Sequence, residues 1–268
     1  MLLQLTDCHL LEQTGERLLN VATDETFTAV LEQALAEATP ELLLLSGDLA
    51  HTPTQSTYRR RLALVRARYR GPLAVVPGNH DAVAPLAAVF DAVPAGDRLI
   101  EHRLGGCTLV LLSSAGDGGP EAVVGEAARQ ALVDRCAALT HPLVLVLHHP
   151  LLPVGTPWLD KDCVPAGARL LEQLRTVADL RGVVFGHVHQ PVCKQHDGVL
   201  LLGTPSTCFQ FAPGSQAFSL TAEQPGYRWI SYDHKHGLST RLRRLSEPRI
   251  VVEPRFLRAD NPVAHASE

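Results

Sequence analysis

The sequence has no apolar run long enough to cross a membrane. Its longest runs, such as Leu42–Leu45 and Leu143–Leu147, have strand length, against the ~20 residues a membrane helix needs. There is no basic, apolar leader: the chain opens on "LLQLTD", which reads as a strand, so the cytoplasm is the expected location. There is no C-x-x-C pair. Cys8, Cys107, Cys136, Cys163, Cys193 and Cys208 lie far apart, which argues against a zinc ribbon or a thioredoxin-like motif and predicts reduced, mostly buried thiols. There is no excess of positive charge either. A formal net charge of −4 gives no general field for wrapping nucleic acid. Internal repeats and low-complexity linkers are also missing. The 268 residues therefore read as one domain over 1–245, followed by a polar, Pro-containing arm or tail at 246–268.

What remains is an ordinary soluble composition, 46% hydrophobic and 19% charged, with thirteen histidines whose placement matters more than their number. Five short apolar runs each break into a polar cluster: "LLQLTDCH" (2–9), "LLLLSGD" (42–48), "LAVVPGNHD" (73–81), "LVLVLHHP" (143–150) and "VVFGHVH" (183–189). Such runs read as the buried strands of an α/β fold. Helical patterns lie between several of them. In 24–38, Phe27, Val30, Leu31, Ala34, Leu35 and Ala38 form one apolar stripe, with Thr23 as the expected N-cap. Residues 55–69, 126–139 and 167–178 are further helices. From 192 the texture changes. "VCKQHDGVLLLGT" predicts a hairpin about Asp197-Gly198, and the short strands beyond it imply a second sheet.

In open α/β sheets, ligands collect beyond the carboxyl ends of the strands. Here those ends carry Asp7, His9, Asp48, Asn79, His80, His148, His149, His187 and His189. Each piece alone has an ordinary explanation. Asp-x-His, Gly-Asp and Gly-Asn-His-Asp are all common in turns, and a lone buried histidine is usually just hydrogen-bonded. Five such clusters at five strand ends point instead to metal. The donors are too many for one ion and suit two ions ~3.5–4 Å apart that share a carboxylate. Mixed oxygen and imidazole donors favour Mn²⁺, Fe or Zn²⁺ over Ca²⁺. In "VVFGHVHQ" (183–190) the two-residue spacing is expected to put His187 and His189 on one face of a strand end.

Taken in order, "D-x-H … G-D … G-N-H-D … H-x-P … G-H-x-H" resembles the signature of the calcineurin-like metallophosphoesterases, with all five blocks intact over roughly residues 1–215. The stretches "HHPLLPVGTPWLD" (148–160) and "GHVHQPVCKQHDGVLLLGTPSTCFQF" (186–211) are similar to the bacterial class III 3′,5′-cyclic-AMP phosphodiesterases. The resemblance implies a four-layer α-β-β-α sandwich of two mixed sheets flanked by helices, with a dinuclear metal site at the strand ends. It implies that Asp7, His9 and His189 hold one ion, that Asn79, His148 and His187 hold the other, and that Asp48 bridges them. His9, Asn79, His80 and His189 would contact the substrate. His80 would bind no metal and would help the leaving oxygen depart. The implied cofactors are two divalent ions, Mn or Fe with Zn as the alternative. The implied reaction is hydrolysis of 3′,5′-cyclic AMP to 5′-AMP by a hydroxide held between the ions.

Several positions stand apart. Cys8, between Asp7 and His9, is expected to face away from the metals. His51 stands where purple acid phosphatases carry a ligand tyrosine, which argues against a ferric–tyrosinate centre. Pro165 falls where relatives carry a polar residue. His149 is expected on the opposite side from His148 or behind it. Thr204–Thr207 ("TPST") reads either as pocket wall or as a plain turn.

Three rival functions remain at this level. The first is hydrolysis of other small phosphodiesters, such as 2′,3′-cyclic nucleotides or glycerophosphodiesters. The second is a nuclease, which would need a cationic track; "YRRRLALVRARYR" (58–70) and "RLRR" (241–244) are the only Arg-rich stretches, and the first reads as the solvated face of a helix. The third is an inert scaffold, disfavoured by the full ligand set. The partner expected is a small-molecule phosphodiester, with no membrane and no nucleic acid, and the C-terminal segment is a candidate for holding a homodimer.

Overall fold

The structure is a computed structural model that describes residues 1–116 and 119–257; the end of the C-terminal arm, 258–268, lies outside the described residues. The first half runs β1 (Leu2–Leu5), β2 (Arg17–Leu18), β3 (Val21–Ala22), α1 (Thr23–Glu37), β4 (Leu42–Ser46), α2 (Gln55–Arg66), β5 (Leu73–Val76), α3 (Val83–Ala87), β6 (Ile100–Leu104) and β7 (Cys107–Leu111). It continues with α4 (Glu126–Ala137), β8 (Leu143–Val146), α5 (Pro157–Asp160), α6 (Gly167–Val177), β9 (Leu180–Phe185), β10 (Val192–His196) and β11 (Val199–Gly203). Four further strands follow: β12 (Gln210–Phe211), β13 (Leu220–Thr221), β14 (Gly226–Asp233) and β15 (Gly237–Arg244).

Two mixed sheets result, ordered β15-β14-β1-β4-β5 and β10-β11-β9-β8-β7-β6. β1, β4 and β5 are parallel to one another, as are β7, β8, β9 and β11, so their carboxyl ends gather along one edge of each sheet. The alternation of side chains builds the layers. Leu3, Leu5, Leu43 and Leu45 point outward to pack with Phe27, Val30 and Leu31 of α1. Their neighbours Leu2, Leu42 and Leu44 point inward and meet Val144, Val146 and Val184 of the second sheet. Leu143, Leu145, Val183 and Phe185 then face outward against Leu132 of α4 and Leu170 and Leu174 of α6. This is the four-layer α-β-β-α sandwich. Both faces of each central strand are buried, which is why those strands are mostly Leu and Val; the buried Gln4 of β1 donates to the Ser46 hydroxyl and the Phe185 carbonyl.

Several local expectations are corrected. α1 begins at Thr23 itself; the cap position is Ala22 and no side chain caps it, because β3 runs straight into the helix. Of the strands after 192, only β12 and β13 form a sheet of their own, a two-stranded one. β10 and β11 extend the sheet of β9, whereas β14 and β15 extend the sheet of β1, so all five motif strands are shared between two sheets. The hairpin at 197–198 is present, with Asp197 at φ 46° and Gly198 at φ 86°. The β6–β7 hairpin had no counterpart in the sequence reading. The Arg-rich helix is not purely a solvated face: Arg61 is fully buried, its guanidinium 3.8 Å over the Phe27 ring and donating to the Leu49 carbonyl. All six cysteines are free, and Cys8 packs in the outer core beside α1, away from the strand-end cluster. Among the described residues, no helix is long and apolar enough to cross a membrane.

Candidate metal centre

The strands stop short of the motif residues. β1 ends at Leu5, β4 at Ser46 and β9 at Phe185. Beyond them Asp7 (φ 52°), His9 (φ 45°), Asp48 (φ 51°), His187 (φ 63°) and His189 (φ 48°) are all left-handed. Left-handed non-glycine residues cost of order 1–3 kcal/mol each and concentrate at functional sites. Here the backbones hold one another: the Asp7 amide donates to the Gly47 carbonyl at 3.0 Å and the His9 amide to the Asp48 carbonyl at 2.9 Å. The expectation that His187 and His189 share a strand face therefore fails, because neither residue is extended. Their rings face different neighbours, His187 against His148 and His149, and His189 against His9, Phe209 and Phe211.

Two glycines make the close approach of these loops feasible. Gly47 has φ 101°, and a Cβ there would sit 2.1 Å from His148 Nδ1. A Cβ on Gly186 would sit 2.1 Å from the Thr6 hydroxyl and 2.7 Å from an Asp7 carboxylate oxygen. Either side chain would push a loop of one sheet off the other.

The side chains converge closely. Asp48 presents Oδ2 to His9 Nε2 at 3.6 Å and Oδ1 to His148 Nε2 at 3.5 Å. Asp7 Oδ1 lies 3.3 Å from His189 Nε2 and 3.9 Å from His148 Nε2. His9 Nε2 and His189 Nε2 are 3.2 Å apart, and Asn79 Oδ1 is 3.1 Å from His187 Nδ1. The His80 amide donates to Asp48 Oδ1 at 2.9 Å, while its half-buried ring meets His9 edge-on and stacks on His51. His51 thus lies in the cleft beside His80.

His149 belongs elsewhere. Its Nδ1 is 2.8 Å from the Ser114 hydroxyl and its Nε2 is 3.0 Å from the Pro120 carbonyl, so both nitrogens are engaged behind His148. "TPST" is a brace, not a wall. Thr204 donates to Gln4, Ser206 donates to the Asp7 carbonyl, and the Thr207 amide donates to the Thr6 carbonyl.

The electrostatics of the cluster suit cations. Burial pushes His9 down to about 3 and holds His187 below the usual imidazole range. Burial also opposes the ionised forms of Asp7 and Asp48, but His189 beside the first and His148 beside the second outweigh it and keep both carboxyls below the usual range. Meanwhile Nε2 of His148, Nε2 of His187 and Nδ1 of His9 are buried without a hydrogen-bond partner. Buried polar atoms are rarely left unpaired in a folded protein. Two buried carboxylates among inward-facing imidazoles, several with orphan nitrogens, fit a pair of divalent ions.

His148 gives a pH test. Burial works against its charged form, but Asp48, Asp7 and the Ser46 carbonyl push it up to about 9. In the ion-free protein this raised value stabilises the fold fully below about 6.5, the ordinary histidine value, and the contribution is lost as pH rises through 9. An ion bound through Nε2 must displace that proton. Chelator competition should therefore show Mn²⁺ affinity rising about tenfold per pH unit from pH 7 to 9 for the site that uses His148. An affinity that stays flat over this range would contradict the placement.

Three features have no role assigned from the sequence. Asp81, in the quoted GNHD block but given no role, accepts from the amides of Gly78, Leu49 and Ala50 and from the Tyr58 hydroxyl, tying the β4 loop to the β5 loop. The second is an apolar wall. The cluster opens into a cleft of about 320 Å³ whose floor includes His9, Asp48, Asn79, His80, His187 and His189, and whose walls include Leu18, Leu19, Trp158, Phe209, Phe211 and Phe218. Trp158 meets Phe211 and Phe218 edge-on, at 4.9 and 5.8 Å between ring centroids, and Phe218 is 46% exposed at the rim. The third is Asp162, buried at the inner side of the cleft.

The sequence profile of the calcineurin-like phosphoesterase family matches residues 1–191. Among curated relatives, the 3′,5′-cyclic adenosine monophosphate phosphodiesterase CpdA of Escherichia coli (strain K12) is 34% identical over 254 residues, covering 92% of this chain and 90% of its own. The protein of the same name from Haemophilus influenzae is 30% identical over 250 residues, with 92% and 90% covered. The 3′,5′-cyclic-nucleotide phosphodiesterase alr5338 of Nostoc is 30% identical over 261 residues, with 93% and 96% covered. Among solved structures, a dimetal phosphatase from Danio rerio superposes with a TM-score of 0.62 at 14% identity, covering 92% of this chain and 96% of that one. Purple acid phosphatase PPD1 from yellow lupin gives 0.64 at 14% identity, covering 94% of this chain and 52% of that one. At that identity the two structures speak for the fold alone.

Proposed function

The chain belongs to the calcineurin-like phosphoesterase family, and from that premise we propose that it hydrolyses 3′,5′-cyclic AMP to 5′-AMP. The observation that carries the reading is the cleft. It joins a cluster of carboxylate, amide and imidazole donors to an aromatic wall in one space of about 320 Å³, a size suited to a small ligand. The names of the relatives supply the substrate. The wall supplies a reason for it, because an aromatic face stacks a nucleobase with roughly 1–3 kcal/mol per base.

In this reading Asp7, His9 and His189 would hold one ion, Asn79, His148 and His187 would hold the second, and Asp48 would serve both. Mn²⁺ or Fe are the ions proposed, with Zn²⁺ as the alternative. When bound, two divalent ions neutralise charge on a phosphate and lower the pKa of water beside it. The chain does the rest. His9, Asn79 and His189 reach the phosphate from the floor. The His80 backbone is anchored by its amide on Asp48 and its ring packs against His9 and His51, which places it at the mouth of the cluster, where it delivers a proton to the departing ribose 3′ oxygen. Water adds to phosphorus, the P–O3′ bond breaks, and the product keeps its phosphate on the 5′ oxygen. Trp158, Phe211 and Phe218 hold the base away from the ions.

The nuclease alternative gains little from the arginines. Arg61 is buried, Arg60 pairs with Asp24, and Arg68 pairs with Glu32. The free state of all six cysteines fits a reducing compartment such as the cytoplasm.

The test is a substrate panel with Mn²⁺ present: 3′,5′-cAMP, 3′,5′-cGMP, 2′,3′-cAMP and a glycerophosphodiester, compared by kcat/KM. The expected order puts 3′,5′-cAMP first, by tenfold or more over 2′,3′-cAMP and the glycerophosphodiester. A glycerophosphodiester or 2′,3′-cAMP at the top would replace the proposal with the broader small-diester reading.

A further inference from the structure

Asp162 follows α5 and is 2% exposed. Its Oδ1 has no hydrogen-bond partner. Its Oδ2 lies 3.6 Å from His187 Nε2, an atom that is itself unpartnered. The other buried carboxylates find donors: Asp7 accepts from the Thr6 hydroxyl and the His187 amide, Asp24 from the Glu25 amide, Asp48 from the His80 amide and Asp81 from the Gly78 amide. A buried carboxylate left without donors is costly, so its persistence beside the ion cluster calls for a partner that the cluster supplies.

Two of the other imidazoles, His148 and His189, show what that partner is. An imidazole that holds an ion through one nitrogen carries its proton on the other, and that N–H needs an acceptor. His148 turns Nε2 toward Asp48 and leaves Nδ1 at 2.9 Å from the Ser46 carbonyl. His189 turns Nε2 toward Asp7 and leaves Nδ1 at 2.8 Å from the Phe209 carbonyl. His187 is mounted the other way round. Its Nδ1 meets Asn79 Oδ1 at 3.1 Å, and its Nε2 points at Asp162. Of these three outer acceptors, only the one behind His187 is charged.

We propose that Asp162 is a positioning residue for the second ion: its carboxylate accepts the Nε2 proton of His187, fixes the ring with Nδ1 unprotonated, and strengthens the ion contact made with Asn79 and His148. This rests on the two-ion reading above. A neutral carbonyl orients a ring. A carboxylate also makes the imidazole a stronger donor, so the two ions should differ in how much they depend on their outer contacts.

The test titrates ion-free protein with Mn²⁺ alone and resolves the two dissociation constants, in the wild type, Asp162→Asn and Asp162→Ala. The wild type is scored first; uptake of fewer than two ions would overturn the two-ion reading and this proposal with it. With two ions bound, Asp162→Ala is expected to weaken one of them roughly 10–100-fold and leave the other within twofold. Asp162→Asn, whose amide oxygen still accepts, should fall between. The ion-free Tm should stay level or rise, since an unpaired buried charge is gone, while the Tm gain on adding Mn²⁺ shrinks. Two constants within twofold of wild type would overturn the proposal. So would equal weakening of both ions together with a lower ion-free Tm, the mark of a purely structural residue.

Discussion

Asp48→Ala is expected to cut turnover of 3′,5′-cyclic AMP by a thousandfold or more (about 4 kcal/mol or more of barrier), and to reduce Mn²⁺ uptake from two ions to one at most. The reason is geometric. Asp48 puts Oδ2 at 3.6 Å from His9 and Oδ1 at 3.5 Å from His148, so its two oxygens face the two proposed halves of the site. Asp7 offers the second carboxylate of the cluster, but only its Oδ1 faces imidazoles, His189 at 3.3 Å and His148 at 3.9 Å, while its Oδ2 is taken by the Thr6 hydroxyl and the His187 amide. Asp48 also accepts the His80 amide, so the substitution loosens the proton donor along with the ions. Loss of a buried counter-charge leaves His148 without its nearest anion, which makes the defect more than the removal of one ligand. Two ions bound per chain with turnover within tenfold of wild type would show that Asp48 does not join the halves.

His80→Ala should separate chemistry from ion binding. The His80 ring forms no hydrogen bond or ion pair with either carboxylate; the hydrogen bond to Asp48 comes from the backbone amide, which alanine keeps. Mn²⁺ uptake should therefore remain at two per chain. The kcat for 3′,5′-cyclic AMP should fall roughly 10²–10⁴-fold, the usual weight of a positioned proton donor, with KM changed far less. The ribose alkoxide is a poor leaving group and needs its proton. The p-nitrophenolate of bis(p-nitrophenyl) phosphate does not, so the same variant should lose much less rate on that diester. Equal losses on both substrates would mean that His80 acts by binding the phosphate, not by delivering a proton.

Much of the molecule was legible in the chain because its signals are local. Apart from Gln4 and Ser46, which bond to each other, Leu2–Leu5, Leu42–Ser46 and Leu143–Val146 are apolar on both faces, the pattern of strands covered on both sides. Each motif block also sits in one short window, so the candidate cluster could be named before it could be placed. The strand-face argument for His187 and His189 broke down because the period of two stops where the strand stops, at Phe185, and two left-handed residues follow. Phe209, Phe211, Phe218 and Trp158 could not be grouped from sequence. Trp158 lies on α5, Phe209 and Phe211 lie at β12, and Phe218 precedes β13, so they make a wall only once these distant segments are brought together. Asp162 carried no signal for a related reason. Its meaning lies in which nitrogen of His187 it faces, and that is a property of two loops meeting across the cleft. Arg61 shows the opposite error: charge alone suggested solvent, whereas the Phe27 ring and the Leu49 carbonyl give a guanidinium somewhere to go inside.

The most direct measurement is to strip the protein of metal with a chelator, return Mn²⁺ in steps, and follow 3′,5′-cyclic AMP by product analysis. The expected result is no turnover at zero ions, a rise completed as the second ion per chain is bound, and 5′-AMP as the only product. Full activity with one ion, turnover that ignores the chelator, or 3′-AMP as the product would contradict a two-ion centre that breaks the 3′ ester.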